Sequence, residues 1–546
     1  MPEAVKAPLE MFYHWEATTP EQVFLRQPVN QQWREYTWSE VADRVRRLAG
    51  FIRAQDFPPG SSIALFSANC ADWFVVDLAI MLSGHISVPL YPGQDVAATR
   101  YIIEHSETRM IFLGEFDLAA QADEMLPESM LRVGIHGCRA RCDYDLESIV
   151  ADSQPFAESP IPDPESIFTI LYTSGTTGKP KGVMHAHSTP GRVIPELVKV
   201  FLQDGPQRSR YFSYLPLAHA AERIVVEMSA LYSNATVSFS EGLATFVEEL
   251  RSVKPTFFFS VPRLWAKFKA GVDAMVPAEV QAGFGEAEKL MVREQLGLDQ
   301  ARFIFTGSAP CPRDIQQWYI DMGMDLRDGY GMTETFCDGC ILHADQPAQP
   351  GCVGTTYVEG NVRLNDSGEI CFKCDGLMKG YFKNPEKTAE VMIDGWYHTG
   401  DSGRFDEHGN LWVTGRISEV FKTTKGKFIK PTPLEDRFGA LDELGQLLIF
   451  GHGKDQPLLL TNLSEVGQGQ GRDVLNARLE GALAAINAEL PPYERVAQIF
   501  VTDAEWSIDN GLLTPTMKLK RQAIEEHFGD LVSANTGGVE IIWDGH

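Results

Sequence analysis

From Ser61 to about Arg327, short apolar runs alternate with amphipathic segments, and this alternation constrains the fold more than any other property of the chain. The runs Ile63-Ala-Leu-Phe66, Ile86-Ser-Val-Pro89, Met110-Ile-Phe-Leu113, Thr256-Phe-Phe-Phe259 and Phe303-Ile-Phe305 have the length and continuous apolarity of buried strands. Between them, residues 71–82, 97–105, 246–253 and 313–322 carry helical spacing. Strands separated by helices imply α/β layers with parallel-type sheets, and ligands of such folds gather at the loops beyond the strand ends. After about Pro350 the texture shifts to short strands and turns, such as Asn365-Asp-Ser-Gly368 and Asp406-Glu-His-Gly-Asn410, which predict a smaller β-rich piece. Beyond Arg416 the chain returns to mixed α/β, with a helix expected near Asp473–Leu490 and a strand at Ala497–Val501. The remaining length suits a separate small domain.

One loop stands out against this framework. The apolar run Ile167-Phe-Thr-Ile-Leu171 leads directly into Tyr-Thr-Ser-Gly-Thr-Thr-Gly-Lys-Pro-Lys-Gly182. Glycines let backbone N–H groups face an anion, the hydroxyls of Thr173, Ser174, Thr176 and Thr177 add donors, and Lys179 and Lys181 add charge. These features describe a phosphate cradle rather than a solvated connector. The spacing excludes a mononucleotide P-loop, because only two residues separate Gly175 from Gly178, and Pro180 follows Lys179 with no N–H to offer.

Composition narrows the partners. The 48 basic and 74 acidic residues give a formal charge of −26, which repels nucleic acid and anionic lipid headgroups; any anionic substrate must meet a local positive site. Apolar contact with a membrane surface is left open by that balance. The N-terminus has no basic region followed by an apolar core, so no signal peptide is expected, and Asp77 and His85 interrupt the longest apolar stretch, so no transmembrane segment is expected. A cytoplasmic enzyme is the resulting expectation. Nine cysteines, an odd number without disulfide-scaffold density, predict reduced thiols. The pairs Cys337/Cys340 and Cys371/Cys374 have zinc-like spacing, but the strand-like alternation of Gly368-Glu-Ile-Cys-Phe-Lys-Cys374 sends positions three apart to opposite faces, away from one metal.

The strings Leu171–Gly182, Thr306-Gly-Ser-Ala-Pro310, Asp328-Gly-Tyr-Gly-Met-Thr-Glu-Thr335, Gly395-Trp-Tyr-His-Thr-Gly-Asp401, Gly415-Arg416 and Leu512-Leu-Thr-Pro-Thr-Met-Lys518 occur in this order over nearly the whole chain. Together they resemble the adenylate-forming (AMP-binding) superfamily, which includes acyl-CoA synthetases, luciferases and peptide-synthetase adenylation domains. The resemblance implies a large N-terminal domain of layered α/β sheets over 1–417, with a β-rich subdomain at about 350–417, and a small mobile α+β domain over 418–546. It also implies ATP and Mg²⁺ as requirements and coenzyme A as co-substrate.

Residue by residue, the resemblance implies ATP or AMP binding by Thr173, Ser174, Gly175, Thr176, Thr177, Gly178 and Lys179, by Gly307, Ser308 and Ala309, and by Asp328, Gly329, Tyr330, Gly331 and Met332. Tyr330 would stack on adenine and Thr333 would bond the α-phosphate. Glu334 would bind Mg²⁺, a carboxylate beside phosphate needing a bridging cation. Asp401 would take the ribose hydroxyls, with Val413 and Arg416 in the same region. Lys518 would be the catalytic lysine of adenylation, although Met517 stands where glycine usually precedes it. Ser418, in a position where relatives carry Asp or Lys, is the expected hinge.

Gly426 lies ten residues after Arg416, and this spacing, with Phe212-Ser-Tyr-Leu-Pro-Leu-Ala-His-Ala-Ala-Glu-Arg223 and Lys254-Pro-Thr-Phe-Phe-Phe-Ser-Val-Pro-Arg-Leu-Trp265, is most similar to long-chain fatty acyl-CoA synthetases. That similarity implies a fatty acid substrate and makes His219 a candidate wall of the acyl site. An aryl, short or specialised acid, a carrier-protein acceptor, and a non-catalytic lipid- or nucleotide-binding role are the alternatives.

Overall fold

The computed structural model describes residues 5–173, 179–201, 208–508, 510–514, 518–535 and 540–544. An eight-stranded sheet runs in the order Gly380–Tyr381, Lys181–Ala186, Ile167–Thr173, Ile86–Leu90, Ser62–Phe66, Met110–Leu113, Leu131–Gly134, Tyr144–Asp145. From Ile167–Thr173 to Tyr144–Asp145 all neighbours are parallel, as the alternation of strands and helices predicts. At the other end the sheet departs from that expectation. Lys181–Ala186 returns antiparallel to Ile167–Thr173, so the phosphate-type loop joins a hairpin instead of a strand to a helix. The cause is legible afterwards: Gly182, Val183, His185 and Ala186 are buried, and this second run extends the sheet.

Two further sheets complete the large part of the molecule. One has the order Arg210–Ser213, Thr236–Phe239, Val23–Val29, Gln32–Thr37; the other Phe257–Ser260, Phe303–Thr306, Leu326–Tyr330, Cys340–Ile341, Thr355–Thr356. Helix Ala71–Leu82 is buried at every position, which explains why its sequence is apolar all round. Each large aliphatic or aromatic side chain buried there contributes about 1.5–3 kcal/mol. The deeper of its two charges, Asp77, is bonded through both oxygens to Arg223 at 2.7 Å, and Arg223 also reaches Thr169 Oγ1 at 2.6 Å. Arg223 opens a π-helical turn, Arg223–Met228, that brings Glu227 within 3.3 Å of the same guanidinium.

The β-rich region predicted after Pro350 is an antiparallel sheet of Val362–Leu364, Glu369–Phe372, Met392–Ile393, Trp396–Phe405 and Leu411–Arg416. Beyond it, Leu444–Phe450, Leu458–Leu463, Ile499–Thr502 and Ile541–Trp543 form a last four-stranded sheet. Helices Pro431–Phe438 and Arg472–Glu489 pack on it through Leu434, Phe438, Leu479 and Leu483. Among the described residues no helix is long and apolar enough to cross a membrane.

Candidate active site

The hairpin places Thr173 opposite Lys181. Ser174, Gly175, Thr176, Thr177 and Gly178 lie outside the described residues. At the loop's base, Lys179 Nζ sits 5.1 Å from the Tyr101 ring centroid and Lys181 Nζ 4.8 Å from that of Tyr381. Burial lowers the Lys181 pKa, and the Glu334 carboxylate opposes that effect. Cation–π contacts of this kind are worth about 0.5–1 kcal/mol at exposed sites, so the exposed Lys179 ammonium can leave its ring for a phosphate.

Parallel pairing of Phe303–Thr306 with Leu326–Tyr330 sets Thr306 beside Asp328 and brings Gly307-Ser308-Ala309 against Gly329. A Cβ on Gly307 would stand 3.1 Å from Gly329 O, so a larger residue there would press the two strand ends a few tenths of an ångström apart. Asp328 is buried, and burial first and Asp436 second push its carboxyl up to about 8. Met332 and Thr333 follow, and the Thr333 carbonyl lies 2.7 Å from His185 Nε2. Burial pushes His185 down to about 4, so the ring is neutral at pH 7 and its Nε2–H donates to that carbonyl. Glu334 is buried; Tyr381 OH donates to Oε1 at 2.8 Å, and Met378 N donates to the Glu334 carbonyl at 2.8 Å.

Asp401 and Arg416 face each other across two paired strands. Tyr330 OH donates to Asp401 Oδ2 at 2.7 Å, while Arg416 Nε stands 3.1 Å from Oδ1. Val413, on the strand of Arg416, pairs with Gly403. The turn before Asp401 is held from behind by Glu369, whose Oε1 accepts the Gly400 N–H at 3.0 Å. Its Oε2 accepts from Asn365 Nδ2 at 2.8 Å and lies 2.8 Å from His398 Nδ1. Gly400 has φ +74°, a left-handed conformation that would strain any residue with a Cβ. Thr399 Oγ1 takes the Asp401 N–H at 3.0 Å. Of the Cys-x-x-Cys thiols in this region, Cys371 contacts His398 Nδ1 at 3.6 Å whereas Cys374 points to Asp338 O at 3.5 Å.

Lys518 closes the site from the end of the chain. Leu513 and Leu519 bridge antiparallel, Thr514 N donates to Lys518 O at 2.8 Å, and Lys518 N donates to Thr514 Oγ1 at 3.0 Å, so the backbone of the lysine is fixed on Thr514. Its side chain is reachable from solvent yet surrounded by protein. This desolvation, then the Arg416 guanidinium, lowers its pKa, while Asp401 and Glu334 pull the other way. Residues far apart in the chain thus surround one ammonium. The Lys518 charge also acts on His219, which burial first and Lys518 second push down to about 4. The loop of His219 is fixed by Asn69, whose Nδ2 donates to Leu215 O at 2.6 Å and whose Oδ1 accepts the Leu217 N–H at 3.0 Å. His219 itself caps the next helical turn through Nδ1, 3.1 Å from Ala221 N.

The structure therefore gathers Tyr330, Glu334, Asp401, Arg416, Lys518 and His219 around one cleft. Ser418 is exposed in the turn Ile417–Glu419, two residues beyond Arg416; Arg521 ties the neighbouring Glu419 (3.2 Å) to Glu435 (2.5 Å). Sequence reasoning missed Glu369, Tyr381 and His185 as supports of the cleft. Their partners lie 31, 47 and 148 residues away, and no local spacing signals such pairs.

Residues 12–382 match the AMP-binding enzyme model, and residues 419–535 match the AMP-binding enzyme C-terminal domain. The chain belongs to the AMP-binding enzyme family. This AMP-binding enzyme is 26% identical to "Long chain acyl-CoA synthetase 2" of Arabidopsis thaliana, the alignment covering 97% of this chain and 92% of that one. It is 27% identical to a long-chain-fatty-acid–CoA ligase of Mycobacterium bovis over 96% of each. In fold it matches the adenylation domain of a carboxylate reductase from Mycobacterium chelonae with a TM-score of 0.80 at 22% identity, covering 98% of this chain and 91% of that one. A benzoate CoA ligase from Burkholderia xenovorans gives 0.77 at 18% identity, with 95% and 99% covered. The AMP-binding enzyme is thus an adenylate-forming ligase of acyl-CoA synthetase-like fold. Its donor set fits magnesium: Glu334 offers a hard carboxylate oxygen beside the phosphate-type loop, the kind of single protein ligand that Mg²⁺ combines with phosphate oxygens and waters.

Proposed function

We propose that this AMP-binding enzyme activates a long-chain fatty acid as acyl-AMP, releases pyrophosphate, and then transfers the acyl group to coenzyme A. The observation that carries the reading is the convergence on Lys518 of Asp401, Arg416 and Glu334, with His219 within its field. Asp401, pre-oriented by Tyr330 and Arg416, binds the ribose hydroxyls. Thr333 and Lys518 face the α-phosphate, where the fatty carboxylate attacks in line and pyrophosphate departs toward Lys179, Lys181 and the glycine loop that precedes them. Lys518 offsets charge that accumulates as the nucleophile and phosphate meet, a contribution confined to the transition state. Glu334 would hold Mg²⁺, which when bound neutralises phosphate oxygens. The second half-reaction needs Lys518 withdrawn so that a thiol can reach the acyl carbonyl. We assign 1–417 and 418–546 as the two bodies of that motion and Ser418 as its hinge.

The long-chain preference is supported by the two curated relatives named above and by the strings around His219 and Phe257–Phe259. A screen of acid-dependent ATP–pyrophosphate exchange across acetate, octanoate, palmitate and benzoate tests it, followed by coenzyme A as acceptor. Palmitate is expected to give the fastest exchange and a thioester product. Preference for acetate or benzoate would overturn the chain-length assignment, and loss of the adenylate to a carrier protein alone would overturn the acceptor.

A further inference from the structure

The parallel neighbours Leu131–Gly134 and Tyr144–Asp145 are joined by Ile135-His-Gly-Cys-Arg-Ala-Arg-Cys-Asp143, a loop the adenylation chemistry does not use. Its base is fixed twice: Arg132 N donates to Asp143 Oδ2 and Asp143 N to Arg132 O, both at 2.9 Å. Cys138 N donates to Ile135 O at 3.0 Å, and His136 N reaches Asp72 Oδ2 at 3.0 Å on the buried helix behind. In this frame the sulfurs of Cys138 and Cys142 lie 3.6 Å apart, both half-buried and facing the same carbonyl, Ala140 O, at 3.6 and 3.7 Å. Gly134 lies beneath them; a Cβ there would stand 3.5 Å from both sulfurs. No other cysteine pair among the described residues makes a thiol–thiol hydrogen bond.

We propose that Cys138 and Cys142 form a reversible dithiol–disulfide site whose oxidant is a low-molecular-weight disulfide. A disulfide needs its sulfurs at about 2.05 Å, so the pair must close by roughly 1.5 Å, within reach of side-chain rotation in a loop whose base stays bonded. The two thiols differ in reactivity. The hydrogen bond from Cys142 pulls Cys138 down to about 7, while sharing that bond and burial raise Cys142. Cys138 as thiolate attacks one sulfur of RSSR, forming a mixed disulfide and expelling RS⁻. Cys142, deprotonated in turn, attacks Cys138 Sγ and expels the second thiol. The protein loses two electrons and two protons, and RSSR becomes two RSH.

The test uses the full chain incubated with glutathione disulfide, followed by alkylation and peptide mapping. The expected product links Cys138 to Cys142 and is fully reversed by dithiothreitol. In Cys142→Ala the reaction is expected to stop at a glutathione adduct on Cys138. Iodoacetamide should label Cys138 of the wild type about three- to fourfold faster at pH 7 than an ordinary thiol of pKa near ~8.5, its larger thiolate fraction being partly offset by weaker nucleophilicity. A loop peptide that stays fully alkylated, an adduct forming first at another cysteine, or a disulfide joining Cys138 to any other partner would overturn the proposal.

Discussion

Glu369 holds the turn before Asp401, the residue to which we assign the ribose hydroxyls, and its replacement gives a quantitative test of the cleft's construction. Its carboxylate is mostly buried and engages Gly400 N, Asn365 Nδ2 and His398 Nδ1 at 2.8–3.0 Å. In Glu369→Gln the amide offers one acceptor oxygen and one donor group in place of two acceptors. The best arrangement turns the oxygen to Gly400 and the NH₂ to a re-tautomerised His398, which leaves Asn365 without its partner. In Glu369→Ala all three donors lose their acceptor, and the left-handed turn at Gly400 is free to relax. An unmade buried hydrogen bond costs about 1–3 kcal/mol, and His398 and Asn365 can recover part of that from water. We expect about 0.5 kcal/mol of lost nucleotide affinity for Gln and about 1.5–2 kcal/mol for Ala. These correspond to rises in the ATP KM of roughly twofold and 10- to 30-fold. The assay is pyrophosphate exchange with ATP varied at saturating acid, with the acid KM as internal control. Equal rises in both KM values, or an Ala variant within twofold of wild type for ATP, would refute the reasoning.

Two other perturbations test separate parts of the structure. Arg223→Met leaves Asp77 and Glu227 buried without their cation, so the stability of the large part should fall by about 3–5 kcal/mol, read by urea denaturation; an unchanged midpoint would contradict the buried-pair reading. The Lys518 pKa is lowered by desolvation and then by Arg416, and adenylation needs the ammonium, so activity should fall with rising pH below the ordinary lysine value of ~10.4; because Arg416 acts to lower that pKa, Arg416→Gln should move the alkaline limb upward, and a downward shift would contradict the assignment.

The fold was legible where chemistry is local. The apolar runs 63–66, 86–89 and 110–113 became neighbouring parallel strands, and helices 71–82 and 246–253 have the predicted bounds, because burial on both faces and helical spacing are written into consecutive residues. The antiparallel return at Lys181–Ala186 was not, since Gly-Val-Met-His reads equally as a strand on either side of a turn. At the cleft, Tyr330, Asp401 and Arg416 were recognisable from motifs, and their mutual contacts followed from pairing of the strands that carry them. Tyr381, Glu369 and His185 carry no such mark. Each is an ordinary strand residue until the fold brings its partner, and only then does a hydroxyl, carboxylate or neutral imidazole acquire a task. Asp77 is the reverse case: its charge within an apolar run argues against a membrane span, and the structure supplies the reason in its buried pairing with Arg223.

Lys518→Ala tests the central claim most directly, because the account gives this residue one task in one half-reaction. Acid-dependent ATP–pyrophosphate exchange should fall by a factor of about 10²–10³ or more, the range seen when a transition-state charge partner is removed. Thioester formation from supplied palmitoyl-AMP and coenzyme A should stay within a few-fold of wild type. Equal loss of both half-reactions, or exchange that survives the substitution, would contradict it.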